Sequence, residues 1–402
     1  MLDSENVYPY TIASQEATGM PSTMTSRERI LRGMRGQPVD RVATAPRMWK
    51  FIMSHYGGGW TPDAEMRAAE AFGYDSIFYT GGSVPSFLSA SLPAPETLPE
   101  GVTCQGETES QDDCDIVRRR FHTPAGPLSD AWRRPHPGKG YGIAPSPSHI
   151  EYLVKGPEDI ERLRYLSAAP SPGLIKRFTD VTVQFGERGV VTPYVRSPGN
   201  DLSYVFSSQD ALMLPYDDPQ LLRDLLAFFQ EACLADIRAH LAAGADTIFV
   251  SGFHISLSVG WSPQMFREYF LPLVAEEAAV THGGGAVFHY YDDGRMMDTL
   301  DMVIEAGVDV FSTCTPPPAG DCDLREAKVR TGRNTSLMGY VDIENVLHRG
   351  APEQIDATVR EAIEIGAADD RFVLSSSDGV LTQTPLENLH AYFAAARKYG
   401  QR

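Results

Sequence analysis

The sequence predicts an α/β protein that folds as a single (β/α)8 TIM barrel. Eight short runs rich in β-branched and aromatic residues recur along the chain, and amphipathic helical patterns separate the later ones. Several of these runs are almost continuously apolar, as in parallel strands that are covered on both faces. Eight β-then-α units favour a closed barrel, and a doubly wound open sheet is the alternative.

The predicted elements alternate in the order that a barrel requires. A first helix is predicted after Thr25, because this residue can cap the helix and Glu28 places an acidic side chain in its first turn. The strands are predicted at residues 41–45, 76–80, 189–195, 247–251, 286–291, 308–312, 336–341 and 372–376. The later helices are predicted at about 219–242, 263–282, 295–306, 352–366 and 385–399.

The chain has 402 residues and is therefore longer than a minimal barrel of about 250 residues. We divide it into a polar N-terminal arm, residues 1–24, and one barrel domain, residues 25–402. An insertion at about 84–150 separates the second strand from the third. It contains a predicted hairpin of residues 102–106 and 116–122, which turns through Gln-Asp-Asp-Cys-Asp. A second insertion follows the third strand.

Composition excludes several classes of function. The net charge of −18 disfavours nucleic acid as a partner, because phosphate binding needs basic surfaces. The five cysteines are scattered and do not form a disulfide framework, which fits a reducing compartment. No run approaches the roughly 20 apolar residues of a membrane helix, and no secretory signal is present. We therefore expect a cytoplasmic protein, and the lack of phosphate-binding motifs predicts no nucleotide cofactor.

The active site of a (β/α)8 barrel lies at the carboxyl ends of its strands, so polar and aromatic residues there are the candidates for chemistry. The candidates for substrate binding are Arg47, Trp49, Tyr79, Tyr194, Arg196, His254, Tyr291 and Tyr340. The candidates for catalysis are Tyr204, His289, Asp293 and Asp378. Arg47 or Arg196 would bind a substrate carboxylate through two parallel hydrogen bonds, and structural ion pairing is the alternative for both.

The densest group of candidates follows the fifth predicted strand, in Phe-His-Tyr-Tyr-Asp-Asp-Gly. His289, Tyr291 and Asp293 share one face of the strand because side chains alternate along it. An imidazole and a carboxylate on one face, with Asp378 and His254 from other strands, would form a metal site. The alternative is that Asp292, Asp293 and Gly294 cap a helix and that His289 is a hydrogen-bonded core residue.

Four segments together resemble the uroporphyrinogen decarboxylase superfamily, which also contains zinc-linked and corrinoid-linked methyltransferases. The segments are Thr-Ser-Arg-Glu-Arg-Ile-Leu-Arg-Gly-Met-Arg-Gly-Gln-Pro-Val-Asp-Arg-Val from Thr25, Ser-Pro-Gln-Met-Phe-Arg-Glu-Tyr-Phe-Leu-Pro from Ser262, Glu-Ala-Gly-Val-Asp-Val from Glu305 and Thr-Pro-Leu-Glu-Asn-Leu from Thr384. The resemblance extends over residues 25–400 and implies the same barrel fold.

The chain departs from the pattern of the decarboxylase itself. Where that pattern has an arginine-rich loop after the first strand, this sequence has Arg47 alone. Tyr79 and Thr80 stand where the pattern has an aspartate, whereas Tyr204 matches the family tyrosine and takes its catalytic role from that match. These departures disfavour a tetrapyrrole with many carboxylates as the substrate.

The chain also departs from the methyltransferase pattern, in which one histidine and two cysteines bind zinc. The resemblance places Tyr291 at the histidine, and Asp293 and Asp378 at the two cysteines. A site of His289, Asp293 and Asp378 would favour a divalent metal, zinc or similar, with oxygen ligands. The alternative is that no metal binds and that Asp293 or Asp378 acts as a general acid or base.

The resemblance implies a methyltransferase or demethylase that acts on a small methylated or methoxylated substrate. The chain has no cobalamin-binding motif, so a corrinoid would be carried by a separate partner protein. The first alternative is a cofactor-free decarboxylase or lyase of a small carboxylate, and the second is a non-catalytic ligand-binding barrel. The resemblance is compatible with a homodimer.

Overall fold

The computed structural model describes residues 23–57, 59–81, 89–139, 146–167 and 172–402. The chain forms two compact units. The first contains residues 1–80, 175–194 and 240–402, and the second contains residues 81–174 and 195–239. The predicted arm, except its last two residues, lies outside the described residues.

The strands and helices follow each other in the order expected of a barrel with an inserted sheet. The strands are β1 (Ala43–Thr44), β2 (Ser76–Gly81), β3 (Thr103–Ser110), β4 (Cys114–Thr123), β5 (Gly126–Pro135), β6 (Ser148–Glu151), β7 (Gly189–Arg196), β8 (Thr247–Ser251), β9 (Val287–Tyr291), β10 (Val310–Thr313), β11 (Ser336–Val341) and β12 (Phe372–Ser376). The helices are α1 (Ser26–Arg35), α2 (Trp49–His55), α3 (Pro62–Phe72), α4 (Glu158–Arg164), α5 (Pro172–Phe185), α6 (Pro198–Val205), α7 (Ser208–Asp217), α8 (Pro219–Ala242), α9 (Pro263–Met265), α10 (Leu271–Gly283), α11 (Leu300–Glu305), α12 (Leu324–Thr331), α13 (Pro352–Gly366) and α14 (Leu386–Tyr399).

Eight strands form one sheet in the order β1-β12-β11-β10-β9-β8-β7-β2. The pairs β8–β9, β9–β10, β10–β11, β11–β12 and β12–β1 are parallel. The two ends of this series meet where the Asp75 amide donates to the Thr44 carbonyl, 2.8 Å away. The predicted (β/α)8 barrel is confirmed, and in seven of the eight strands more than half of the predicted residues pair as a strand.

The first predicted strand is the exception, because only Ala43 and Thr44 pair as a strand. The Thr44 amide donates to the Asp75 carboxylate, 3.0 Å away, so a side chain replaces part of the ladder. The helix predicted at 295–306 is also shorter than expected. It begins at Leu300, because the Met296 and Met297 amides donate to the Asp321 carboxylate instead of entering a helix.

A buried network of charges, which we call the Asp75 clasp, holds the point of closure. It consists of Asp75, Arg29, Arg41 and Asp40. The fully buried Asp75 accepts hydrogen bonds from Arg29 at 2.6 Å and from Arg41 at 2.7 Å. Arg29, with only 2% of its side chain exposed, also donates to Asp40 at 2.7 Å. Two arginines and two aspartates balance in charge, which buried ions require.

The amino-terminal end of the barrel is filled by apolar side chains. Ile30, Leu31 and Met34 of α1 lie at helical spacing and pack against the first residues of the strands. The cluster also contains Ala45, which follows β1, and the strand residues Ala43, Ile77, Val190, Val287, Val310, Met338 and Val373. Since α1 covers this end, the carboxyl ends of the strands are left for polar side chains.

The second unit contains a four-stranded antiparallel sheet in the order β3-β4-β5-β6. Ser110 pairs with Asp115, so the predicted hairpin is confirmed, although its strands are longer than expected. The sequence analysis missed β5 and β6. In β5 the apolar alternation is hidden by a buried ion pair, because Asp130 binds Arg119 and accepts from the Trp132 indole at 2.9 Å.

No helix within the described ranges is long and apolar enough to span a membrane.

We expect Asp75→Asn to destabilise the barrel strongly. The substitution leaves the buried Arg29 and the partly buried Arg41 without a full counter-charge, and breaking a buried ion pair from one side costs about 3–5 kcal/mol. Urea unfolding followed by far-UV circular dichroism measures this loss.

The matched control is Asp246→Asn, which removes a carboxylate that lies 2.6 Å from Arg27 in a partly exposed pair. Exposed pairs contribute below about 1 kcal/mol, so this variant should unfold close to the wild type. Equal losses in the two variants would show that the clasp has no special role.

Candidate active site

Arg47 occupies the centre of the carboxyl end of the barrel. Its guanidinium carbon lies 4.5 Å from the ring centre of Tyr291, 5.5 Å from that of Tyr79 and 5.8 Å from that of Phe249. The three rings come from β9, β2 and β8, so barrel closure brings them around one cation. We call Arg47, Tyr79, Phe249, Tyr291 and Asp378 the Arg47 cluster.

The guanidinium of Arg47 is buried but incompletely hydrogen-bonded. Its side chain is 14% exposed, and Nη1 lies 3.4 Å from Asp378 Oδ1. Nε and Nη1 have no hydrogen-bond partner within the described part of the chain. Buried donors are normally satisfied, and the planar fork of arginine matches a carboxylate. The arrangement can therefore bind an anionic group of a ligand.

A second cation, Lys50, contacts the same carboxylate. Its Nζ donates to Asp378 Oδ2 at 3.3 Å and lies 5.1 Å from the ring centre of Trp49. Lys50 was not predicted from the sequence. Its position three residues after Arg47 is informative, because this spacing places both cations near the carboxyl end of β1.

The carboxylate of Asp293 lies in a hydrogen-bonded chain that includes two residues missed from the sequence. The Tyr291 hydroxyl donates to Asp293 Oδ2, and the Thr313 hydroxyl donates to Oδ1 at 3.1 Å. Thr315 lies 2.8 Å from Thr313, between hydroxyl oxygens. Burial raises the pKa of Asp293, although the Tyr291 hydrogen bond opposes this. Asp293 and Tyr291 are therefore placed to exchange a proton with a ligand.

His289 is a fully buried neutral imidazole. Its Nε2 lies 2.8 Å from the Ser312 hydroxyl oxygen, and its ring packs edge-on against Phe249 with ring centres 4.9 Å apart. Burial, together with the nearby Arg47 charge, lowers the pKa of His289 to about 3. This geometry supports the alternative stated for His289, a hydrogen-bonded core residue.

The helix-cap alternative for the Asp292, Asp293 and Gly294 run is wrong, because the next helix begins only at Leu300. The Asp292 side chain is instead buried, and burial raises its pKa.

The predicted metal ligands do not form a metal site in this geometry. Across the described ranges, no group of three or more His, Cys, Asp and Glu side chains is arranged to hold a metal ion. His289 contacts Ser312, Asp293 already accepts two hydrogen bonds, and Asp378 faces two cations. As arranged here, these residues therefore do not fit the zinc that the resemblance implies.

Other predicted residues lie around the same barrel end. Tyr194 extends the aromatic wall, with its ring centre 5.5 Å from that of Phe249. His254 follows β8, and burial lowers its pKa. Tyr340, the penultimate residue of β11, has a φ of 118°, which a residue with a side chain rarely adopts. Such strain is common at functional sites.

Arg196 and Tyr204 require separate description, because both belong to the second unit. Arg196 Nε donates to Asp201 Oδ1 at 2.5 Å, which is the structural pairing stated as the alternative for this residue. Tyr204 packs in a cluster with Trp132, Val117 and Ala90. The roles predicted for Arg196 and Tyr204 stay predictions.

A closed parallel barrel with ionisable and aromatic side chains at the carboxyl ends of its strands defines an enzyme of the (β/α)8 class. The family model for uroporphyrinogen decarboxylase matches residues 141–399. The chain therefore belongs to the uroporphyrinogen decarboxylase family, as the four sequence segments implied.

Named relatives include both decarboxylases and methyltransferases. The uroporphyrinogen decarboxylase of Crocosphaera subtropica is 24% identical over 266 residues, 63% of this chain and 70% of that protein. A methylcobamide:CoM methyltransferase of Methanosarcina acetivorans is 22% identical over 387 residues, 93% of this chain and 98% of that protein. Two further curated relatives are matched over about half of their own length, 49% and 53%. The prediction of an enzyme is confirmed at the level of the family.

The solved structure of a methyltransferase from Methanosarcina mazei superposes with a TM-score of 0.64 at 17% identity. The match covers 94% of this chain and 99% of that one, which supports the barrel fold.

We expect His289 to make the stability of the protein depend on pH. Its pKa in the folded chain, about 3, lies below the ordinary value of about 6.5, so the unfolded chain binds the proton first as pH falls. Its stabilising contribution is complete above about pH 6.5 and is lost progressively toward pH 3, by at most about 1.4 kcal/mol per pH unit. The stability gap between wild type and His289→Gln should therefore shrink between pH 7 and pH 5 in urea titrations.

The control is His390→Gln, on the exposed side of α14. The free energy of unfolding of this variant should stay within about 0.5 kcal/mol of the wild-type value at both pH values. If the difference in unfolding free energy between the wild type and His289→Gln does not depend on pH, His289 is not a buried neutral imidazole.

Proposed function

We propose that the protein is a methyltransferase or demethylase that removes a methyl group from a small methylated or methoxylated substrate bearing an anionic group. The Arg47 cluster is the observation that carries this proposal. A buried guanidinium with two unpartnered donors recognises a carboxylate, and the surrounding rings accept a flat apolar body.

The acceptor of the methyl group would be a corrinoid held by a separate protein. Membership of the family and the similarity to a methylcobamide:CoM methyltransferase support this choice. The reduced corrinoid supplies the nucleophile that accepts the methyl group. All other tasks, namely binding, orientation and proton transfer, belong to residues of this chain.

Asp293 and Tyr291 would supply the proton that the reaction needs. When a methyl group leaves an ether oxygen, that oxygen gains negative charge and is a poor leaving group unless it is protonated. Asp293 lies at the end of β9, its pKa is raised by burial, and it is hydrogen-bonded to the Tyr291 hydroxyl. A raised pKa keeps more of the carboxyl group protonated at a given pH, which favours its role as a general acid.

The contacts of Asp293 and Asp378 indicate which class of methylated substrate suits the site. The resemblance implies that Asp293 and Asp378 stand where the methyltransferase pattern has its two zinc-binding cysteines. Asp378 is paired with Arg47 and Lys50, and Asp293 with Tyr291 and Thr313. An oxygen-linked methyl group therefore suits this site better than a thiol.

Methyl transfer to free cob(I)alamin tests the proposal, with 4-methoxybenzoate as donor and 4-hydroxybenzoate as the product to be quantified. We expect the wild type to form product, and we expect Arg47→Met to lose roughly 100-fold in kcat/KM because a charge-assisted bidentate contact is removed.

The neutral donor 4-methoxybenzamide serves as the control, since Arg47→Met should change its turnover little. Release of CO2 from the carboxylate without a methyl acceptor would contradict methyl transfer and favour the decarboxylase alternative. Stabilisation by both donors without any turnover would favour the ligand-binding alternative.

We expect Asp293→Asn to lower kcat by roughly 100-fold or more while KM changes little, because the proton donor is lost and the anion contact is kept. The wild-type rate should fall as pH rises through the raised pKa of Asp293, since the acid must be protonated to act. Steady-state profiles between pH 5 and 9 measure this limb.

The limb should be absent from the profile of Asp293→Asn and unchanged in Asp246→Asn, which alters a carboxylate of the Arg27 pair. An identical alkaline limb in Asp293→Asn would exclude Asp293 as the group that titrates.

A further inference from the structure

Two cations and one carboxylate lie together at an exposed edge of the Arg47 cluster. Arg47 and Lys50 both lie beside Asp378, at 3.4 Å and 3.3 Å. Two cations therefore face one carboxylate. Asp378 and Lys50 have side chains that are 31% and 32% exposed, so the edge is open to solvent.

The contacts of Asp378 with the two cations differ in kind. Lys50 Nζ donates a hydrogen bond to Oδ2. Arg47 Nη1 approaches Oδ1 but makes no hydrogen bond, and its Nε is also without a partner among the described residues. A guanidinium and a carboxylate that are free to move form two short parallel hydrogen bonds. Something therefore keeps Asp378 from closing on Arg47.

We infer that Lys50 is a specificity-determining residue: by holding Asp378 with its ammonium group, it keeps the Arg47 guanidinium available for an anionic group of the substrate. The inference rests on the anion-binding role of Arg47 in the proposed function. It assigns to Asp378 the role of a competitor for Arg47, which Lys50 restrains.

The backbone supports this division of roles. Arg47 and Gly379 form a parallel β-bridge, which ties the loop after β1 to the loop after β12. A side chain at Gly379 would lie 2.6 Å from the Trp49 indole nitrogen, so the two loops are in close contact. Because Lys50 lies over the ring of Trp49, its ammonium group is directed along this seam to Asp378.

The net charge at this edge leads to the same expectation for the effect of Lys50 on anion binding. With Lys50 present, the edge carries one net positive charge, which an incoming carboxylate neutralises. Without Lys50, Arg47 and Asp378 neutralise each other, and a ligand anion must displace Asp378 first. Removal of both Lys50 and the Asp378 charge restores the net positive charge and frees Arg47.

The test measures binding without turnover, by titrating the purified protein with benzoate and with 4-methoxybenzoate in a calorimeter, with no corrinoid present. We expect Lys50→Met to weaken binding of both carboxylates about tenfold or more. Asp378→Asn should bind them at least as tightly as the wild type. The double variant Lys50→Met/Asp378→Asn should return to within about threefold of the wild type.

The matched control is Lys398→Met, which removes an exposed lysine that pairs with Asp356 on α13, remote in sequence from the Arg47 loop. Its affinity for both carboxylates should equal that of the wild type. Affinity for 4-methoxybenzamide should be the same in all variants, because the neutral amide does not compete with Asp378 for charge.

Three results would overturn the inference. Lys50→Met could bind the carboxylates as tightly as the wild type, the double variant could stay as weak as Lys50→Met, or the wild type could bind neither carboxylate. Failure of the proposed function would give a different result. The expected affinities of the Lys50 and Asp378 variants would be observed, but 4-methoxybenzoate would yield no demethylated product with cob(I)alamin. The double variant also separates the inference from misfolding, since a damaged protein would not regain affinity through a second substitution.

Discussion

Closure of the barrel at the Asp75 clasp is the constraint on which the site depends. β1 is only two residues long, so backbone pairing alone gives little to hold it between its neighbours. Asp75 replaces the missing pairs by accepting from the Thr44 amide and from two arginines. Once β1 is held there, Arg47, three residues beyond its end, lies beside rings from β2, β8 and β9. The clasp at one end of β1 therefore sets the position of the cation at the other.

The clasp also accounts for the charged residues in the opening segment of the barrel domain. Arg29, Asp40 and Arg41 all lie in the run that begins at Thr25, and each is a member of the clasp. The same run supplies the apolar face of α1 that fills the amino-terminal end of the barrel. This segment therefore stabilises the barrel.

At the carboxyl end of the barrel, burial and charge together determine the chemical properties of the side chains. The Arg47 cation is surrounded by aromatic rings, which lower its cost of burial without satisfying its donors. Burial raises the pKa of Asp293 and lowers that of His289, so the carboxyl group keeps its proton to higher pH while the imidazole stays neutral. Asp293 thus forms hydrogen bonds and Asp378 forms ion pairs, as the proposed proton transfer and anion recognition require.

The sequence by itself determined the barrel, because apolar periodicity and strand composition are local properties that survive in the tertiary structure. Seven strands and the helices α8, α13 and α14 lie close to their predicted bounds. The strand β5 escaped prediction because a buried Arg119–Asp130 pair looks polar in sequence but is internal in the sheet. The strand β6 has only four residues, and most of them are exposed. The sequence also placed Arg47, Tyr79, Tyr291, Asp293 and Asp378 at the correct barrel end. Only the tertiary structure decided their partners: it joined Lys50 to Asp378, Thr313 to Asp293 and Ser312 to His289. Partner choice depends on distances between residues far apart in the chain, and no local pattern encodes those distances.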